Sequence, residues 1–230
     1  EAAGKISPEV DAILMSPGML KNVGSAFDSK GAPIPIVRLN WSTVFCFEWG
    51  YKSAYTTQAF SVKDAIALGA QMVLISLTLK TGDEMNDLKN VEVYAKLCNE
   101  AREYGIPVIG ECFPTESDDI SEEEMHDRVL RGTRIIAEMG ADVIKTFYTH
   151  KFKEVVQGCP IPILGLGGHT TPDPIDSLQL AADEIAAGCK GVVFGRNALQ
   201  RENPIMYQRA LNEVVKRGMS PADAVEKFKL

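Results

Sequence analysis

Four helix-like stretches in this chain stop at a glycine that stands just before a short run rich in Val, Ile and Leu. The stretches are Val62–Leu68 before Gly69, Val91–Tyr104 before Gly105, the segment after Ser121 up to Gly140, and Ile175–Ala187 before Gly188. The apolar runs are Val10–Met15, Ile34–Leu39, Met72–Thr78, Val108–Phe113, Val143–Phe147, Ile161–Leu166 and Gly191–Phe194. They are nearly continuous rather than alternating, as parallel strands covered on both faces require. A helix closed by glycine and followed by such a strand is the repeating unit of a βα protein. Ser121-Glu122-Glu123-Glu124 carries a capping-box pattern, and Met125, Val129, Ile136 and Met139 then fall on one helical face. The aromatic, Ser- and Thr-rich stretch from Trp41 to Phe60 reads as a hairpin or loop insertion at one end of the sheet. No charge block or Gly/Ser linker divides residues 1–230, so a single domain is expected.

Two architectures fit a parallel βα rhythm: an open doubly wound sheet and a (β/α)8 barrel. The first βα turn, Ser16-Pro17-Gly18-Met19-Leu20, lacks the GxGxxG fingerprint of a dinucleotide-binding sheet. Glycines close the last two strands, where barrels commonly hold phosphate. A (β/α)8 TIM barrel is therefore expected. Only seven strands can be found, and the first starts at about residue 10, so the first βα unit reads as missing.

A net charge of −7 argues against a nucleic-acid or acidic-membrane surface, so an anionic ligand would need local features to hold it. No apolar run reaches the ~18 residues of a membrane span. Glu1-Ala2-Ala3-Gly4-Lys5 has no signal-peptide pattern. Cys46, Cys98, Cys112, Cys159 and Cys189 are odd in number and form no CxxC pair, which points to a reducing cytoplasm and no structural zinc.

The chemistry-bearing residues cluster at strand ends. Lys145 lies in Asp142-Val143-Ile144-Lys145-Thr146-Phe147-Tyr148. An amine attacks a carbonyl only when neutral, which takes desolvation or a neighbouring cation; Arg38, ending another strand, is a candidate for that cation. Taken alone, Lys145 is either a nucleophile or a strand-end lysine snorkelling to water. Gly165, Gly167 and Gly168 allow close backbone approach, with Thr170 and Thr171 as cap residues beyond them; Gly195-Arg196-Asn197 opens another helix. Together these turns are either an anion site or two tight connections. Glu111 shares a strand face with Phe113 and is a proton shuttle or a member of an ion-pair network. Tyr148 is a proton donor near the imine or a half-buried aromatic. Cys112 reads as a core thiol. His126 reads as solvated on the polar side of its helix, and His150 and His169 fall just past strand ends without metal-ligand spacing.

The run Gly140-Ala141-Asp142-Val143-Ile144-Lys145-Thr146-Phe147-Tyr148-Thr149, the pair Gly167-Gly168 and the run from Gly191 to Gln200 resemble class I fructose-bisphosphate aldolases of the archaeal type. They also resemble aminodideoxyheptulosonate synthases and the aldolase-like thiolase of phosphorylated autoinducer-2. The likeness runs from about Val10 to the C-terminus. It implies a barrel, no metal or other cofactor, and homo-oligomers that are often decameric. It implies Lys145 as the Schiff-base residue and Gly167, Gly168, Gly195 and Arg196 as the phosphate cradle. The implied activity is lysine-dependent aldol chemistry on a phosphorylated ketose or ketone. The rivals are acyl transfer to coenzyme A with the same lysine and a non-catalytic sugar-phosphate-binding barrel. Two departures stand out. The tyrosine of a Tyr-Pro pair in these aldolases is replaced in Phe113-Pro114, and their first-strand aspartate precedes the first strand found here.

Overall fold

The computed structural model describes residues 5–115 and 120–230; Glu1–Gly4, used above for the leader pattern, lie outside the described residues. All seven expected strands form: β1 (Ala12–Met15), β2 (Ile34–Arg38), β5 (Met72–Leu77), β6 (Val108–Cys112), β7 (Val143–Phe147), β8 (Ile163–Leu166) and β9 (Gly191–Val193). They make one parallel sheet in the order β1-β2-β5-β6-β7-β8-β9. The order never reverses. A doubly wound sheet has a reversal, and its switch point holds the ligand; a sheet that keeps adding strands on one side is curling into a barrel. The sheet is thus barrel-type, with seven strands among the described residues. Among the described residues no ladder joins β9 to β1.

The insertion between β2 and the next helix is the expected hairpin. β3 (Asn40–Ser42) and β4 (Thr56–Gln58) pair antiparallel, with two 3-10 turns between them. The helices are α1 (Pro17–Val23), α2 (Val62–Ala67), α3 (Glu84–Tyr104), α4 (Glu122–Glu138), α5 (Phe152–Gly158), α6 (Pro174–Ala186), α7 (Arg196–Leu199), α8 (Pro204–Arg217) and α9 (Pro221–Phe228). The glycine stops hold: Gly105 caps α3 in the left-handed region, and Gly69, Gly140 and Gly188 also have positive φ just past their helices.

Three details differ from the sequence reading. Ser121 does cap α4, accepting from the Glu124 N–H at 3.2 Å. The Glu124 carboxylate, however, turns away to Lys80 and Arg128, so the reciprocal half of the capping box is not made. The helix after Gly168 is capped by Asp173 rather than by either threonine. His126 is buried at 6% exposure, not solvated, because it lies on the side of α4 that covers the loop after β7 and pairs with Thr149 Oγ1 at 2.9 Å.

Two apolar layers flank the sheet. The larger lies between strands and helices, with Val37, Val73, Ile75, Leu97, Val129, Ile136, Ile144 and Val155 fully or almost fully enclosed. The smaller fills the bottom of the barrel with Ile36, Leu74 and Ile109, backed by Leu14, Met72 and Val143. Burying each such side chain contributes about 1.5–3 kcal/mol against leaving it in water. Alternation then puts Arg38, Ser76, Glu111 and Lys145 on the inner face, above this floor. α8 lies along the segment that leads into β1: Gln208 accepts from the Ser7 N–H at 2.7 Å and Asn212 donates to the Glu9 carbonyl at 3.0 Å.

Candidate active site

Strand register builds a row across the inner face. Ser76 stands opposite Glu111, Glu111 opposite Lys145, and Lys145 opposite Leu164. Glu111 is the hub. Lys145 Nζ donates to its Oε1, while Arg38 Nη1, at 2.7 Å, and Ser76 Oγ both donate to its Oε2. Lys145 is only 8% exposed and Glu111 is fully buried, so both charges stand in a site from which water is largely excluded. Burial by itself would raise the Glu111 carboxyl; the nearby Lys145 and Arg38 cations overcome that and hold it down to about 2. The carboxylate is therefore ionised throughout the neutral range. The geometry unites Lys145, Glu111 and Arg38, three residues singled out from the sequence.

Several positioning residues escaped the sequence reading. Asn40, the first residue of β3, donates to the Ser76 carbonyl at 2.7 Å and accepts from the Ser76 N–H at 2.9 Å, so the hairpin locks the serine in place. Phe45 lies under the Arg38 guanidinium, whose central carbon is 4.4 Å from the ring centroid. The available signal for Ser76 was a lone hydroxyl inside an apolar strand; nothing local marked Asn40 or Phe45.

Past the ends of β8 and β9 the two glycine turns meet. Arg196 donates to the Gly168 carbonyl at 3.0 Å. Asn197 donates to the Gly167 and His169 carbonyls at 2.9 and 2.7 Å and accepts from the Thr171 N–H at 3.0 Å. Arg201 braces the same loop through Asn197 Oδ1 and Thr171 Oγ1. A Cβ on Gly167 would stand 2.6 Å from the Phe194 ring, and Gly168 holds a φ of +62°, so neither position takes a side chain without movement. Gly195 precedes α7 with open space where a Cβ would be. The four cradle residues predicted from the sequence are thus gathered at the end of the barrel toward which β7 carries Lys145.

Tyr148 is not brought to Lys145. It falls on the helix side of β7, its ring 5.1 Å from that of Phe152, and burial together with Asp183 and Glu184 of α6 raises its phenol. Cys112 is a core thiol, as expected; burial pushes it up to about 12. His150 sits against Glu123 and the His126 ring rather than over the lysine. Among the described residues no three His, Cys, Asp or Glu side chains gather in a way that could hold a metal ion.

Comparison with known proteins fits this arrangement. Residues 2–201 match the sequence model of the DeoC/LacD family aldolases. The chain belongs to the DeoC/LacD aldolase family. It is a lyase-type enzyme by that membership. Among DeoC/LacD relatives it is similar to an uncharacterized aldolase of Saccharolobus solfataricus, 34% identical over 95% of this chain and 82% of that protein. It is also similar to 2-amino-3,7-dideoxy-D-threo-hept-6-ulosonate synthase 1 of Archaeoglobus fulgidus, 30% identical over 96% of this chain and 80% of that one. An archaeal fructose-1,6-bisphosphate aldolase, solved with its catalytic lysine covalently bound to the carbinolamine intermediate, superimposes with a TM-score of 0.78. It is 25% identical over 93% of this chain and 81% of that one. No helix among the described residues is long and apolar enough to cross a membrane.

Proposed function

We propose that this DeoC/LacD aldolase is a class I enzyme in which Lys145 forms a Schiff base with a phosphorylated ketose or ketone. The observation that carries this reading is the enclosed amine of Lys145 on the inner face, paired with an ionised carboxylate. Nζ passes one proton to a water held by Glu111 and adds as the neutral amine to the substrate carbonyl carbon; that proton returns as the oxygen leaves as water, giving an iminium. The bond between the α and β carbons then breaks, and its electron pair moves toward the iminium carbon to give an enamine. The proton of the departing hydroxyl goes to a base, and an aldehyde leaves. Protonation and hydrolysis of the enamine return the amine.

Glu111 is suited to this cycle because it already balances a positive charge at Nζ and keeps doing so when that nitrogen becomes an iminium. Glu111 or a water it holds moves the protons. Arg38 keeps the carboxylate charged and lies beside the carbonyl-binding space. The Gly167 N–H is held by the Val193 carbonyl, so the groups offered to the phosphate are the Gly168 and Gly195 backbone N–H groups and the Arg196 guanidinium. Tyr148 has weaker support as a proton donor, given its place on the helix side.

The test is borohydride reduction in the presence of dihydroxyacetone phosphate, followed by peptide mass spectrometry. The expected result is one reduced adduct on Lys145 and none in Lys145→Met. An unlabelled Lys145 in protein that demonstrably binds the ketone refutes the proposal. Product analysis with and without coenzyme A separates aldehyde release from acyl transfer.

A further inference from the structure

Among the described residues, the side chains next above Glu111 and Lys145 on the inner face are aromatic. The next inward-facing position above Glu111 is Phe113, and the next above Lys145 is Phe147, which stands opposite Leu166 in the register. The Phe113 and Phe147 rings meet edge to face at 5.1 Å, and Phe45 from the hairpin adds a third ring 5.7 Å from Phe113. Leu164 is level with Lys145. None of these side chains is fully covered. On β7 and β8 it is the outward residues Ile144, Thr146, Ile163 and Gly165 that are buried, while the inward Phe147, Leu164 and Leu166 stay half-exposed. Phe113 is held in place through its backbone, whose carbonyl accepts from Thr78 Oγ1 at 2.7 Å.

A polyhydroxylated chain laid on the wall of Phe113, Phe147 and Leu166 would surrender hydrogen bonds to water for ring edges and methyl groups, which leave its hydroxyls unpaired. An aryl or branched alkyl group would gain by the same contact. We infer that the part of the substrate lying on the β6–β7 side of the imine is apolar, an aryl or alkyl substituent rather than a sugar chain. The polar side chains of the site, Arg38, Ser76 and Glu111, lie below this wall, and the glycine turns lie past β8 and β9. The enzyme would therefore split or join a carbonyl compound whose hydrophobic end seats on Phe113 and Phe147. This rests on Lys145 as the imine-forming residue.

The test reads imine formation directly, without the natural substrate. Two ketones with the same four-carbon backbone are compared, 4-phenylbutan-2-one and 1,3,4-trihydroxybutan-2-one. In each case Nζ adds to the ketone carbon, water leaves, and borohydride delivers hydride to the imine carbon. The concentration giving half-maximal labelling of Lys145 is divided by that for free Nα-acetyl-lysine, which removes the intrinsic reactivity of each ketone. The expected ratio favours the aryl ketone by about tenfold or more, the scale on which a hydrophobic pocket discriminates. Phe147→Ser and Phe113→Ser should each shift it toward the polyol by at least about threefold. Phe45→Ala, which changes no residue of the barrel sheet, should shift it the same way if either serine variant fails to fold. Equal labelling, or preference for the polyol, with Lys145 clearly modified, overturns the apolar wall and leaves the Schiff base standing. No labelling of Lys145 by either ketone or by dihydroxyacetone phosphate, in protein with native circular dichroism, overturns the Schiff base and this inference with it.

Discussion

Arg38 reaches Glu111 at 2.7 Å through the carboxylate oxygen that Lys145 does not use. One buried anion is thus shared by two cations, and the three charges sum to a single positive one. Under the proposed mechanism that surplus faces the substrate carbonyl oxygen, and it persists when the lysine nitrogen is converted to an iminium.

Glu111→Gln removes the shared anion but keeps the shape of the side chain. The expected kcat falls by about 10²–10⁴-fold, the range for loss of a positioned charge or proton-transfer group. Breaking a buried pair by removing one partner costs about 3–5 kcal/mol, so the variant should also melt earlier. Steady-state kinetics and a thermal melt check both. A variant with native kcat would remove Glu111 from the chemistry.

Arg196→Ala should raise KM for a phosphorylated substrate by about tenfold, with kcat little changed, because a contact made equally in ground and transition states affects binding alone. Competition by inorganic phosphate should weaken in parallel. The comparison to make is KM with and without the phosphate on the same ketone. An equal rise for both forms would place Arg196 outside the cradle.

Tyr148→Phe tests the phenol that the sequence suggested. With its ring on Phe152 and carboxylates around it, removal of the hydroxyl should change kcat by less than about threefold. A loss on the scale of Glu111→Gln would restore it to the proton path.

Glu184 on α6 is fully buried, and its carboxylate fills the space where a Cβ on Gly165 would stand. Neither oxygen has a hydrogen-bond partner among the described residues. Burial, with Asp183 adding, pushes its carboxyl up to about 8 from 4.5. Between those values the folded chain keeps a proton that the unfolded chain has released, so the free energy of unfolding falls as pH rises from about 4.5 to 8. Glu184→Gln removes that slope. Its melting temperature relative to the parent should therefore be higher at pH 8 than at pH 5. Glu111 acts in the opposite sense, since its stabilisation is complete above 4.5 and is lost as pH falls toward 2.

Strands and glycine stops were legible because both depend on local physics: continuous Val, Ile and Leu for a sheet covered on two sides, and positive φ just past a helix. Lys145 and Glu111 were legible because a charge within an apolar strand demands a partner, and each proved to be the other's. Arg38 could be proposed only as a neighbouring cation, since strand register, which no local pattern sets, decides what lies opposite. His126 was misplaced for the same reason: the face of α4 that the loop after β7 covers is settled by packing across the fold. For Tyr148 the sequence left two readings, proton donor or half-buried aromatic, because nearness to Lys145 along the chain does not say which side of the strand a side chain takes; its place beside Phe152 favours the second.

Residues Ser7 and Glu9 meet Gln208 and Asn212, partners some 200 positions further along the chain. Such contacts carry a large loop-closure cost and cannot form until α8 has been synthesised. The seam beside β1 is therefore the last part of the ring to be fastened, and proteolysis or hydrogen exchange during refolding should find it open after the β5–β8 wall has already become protected.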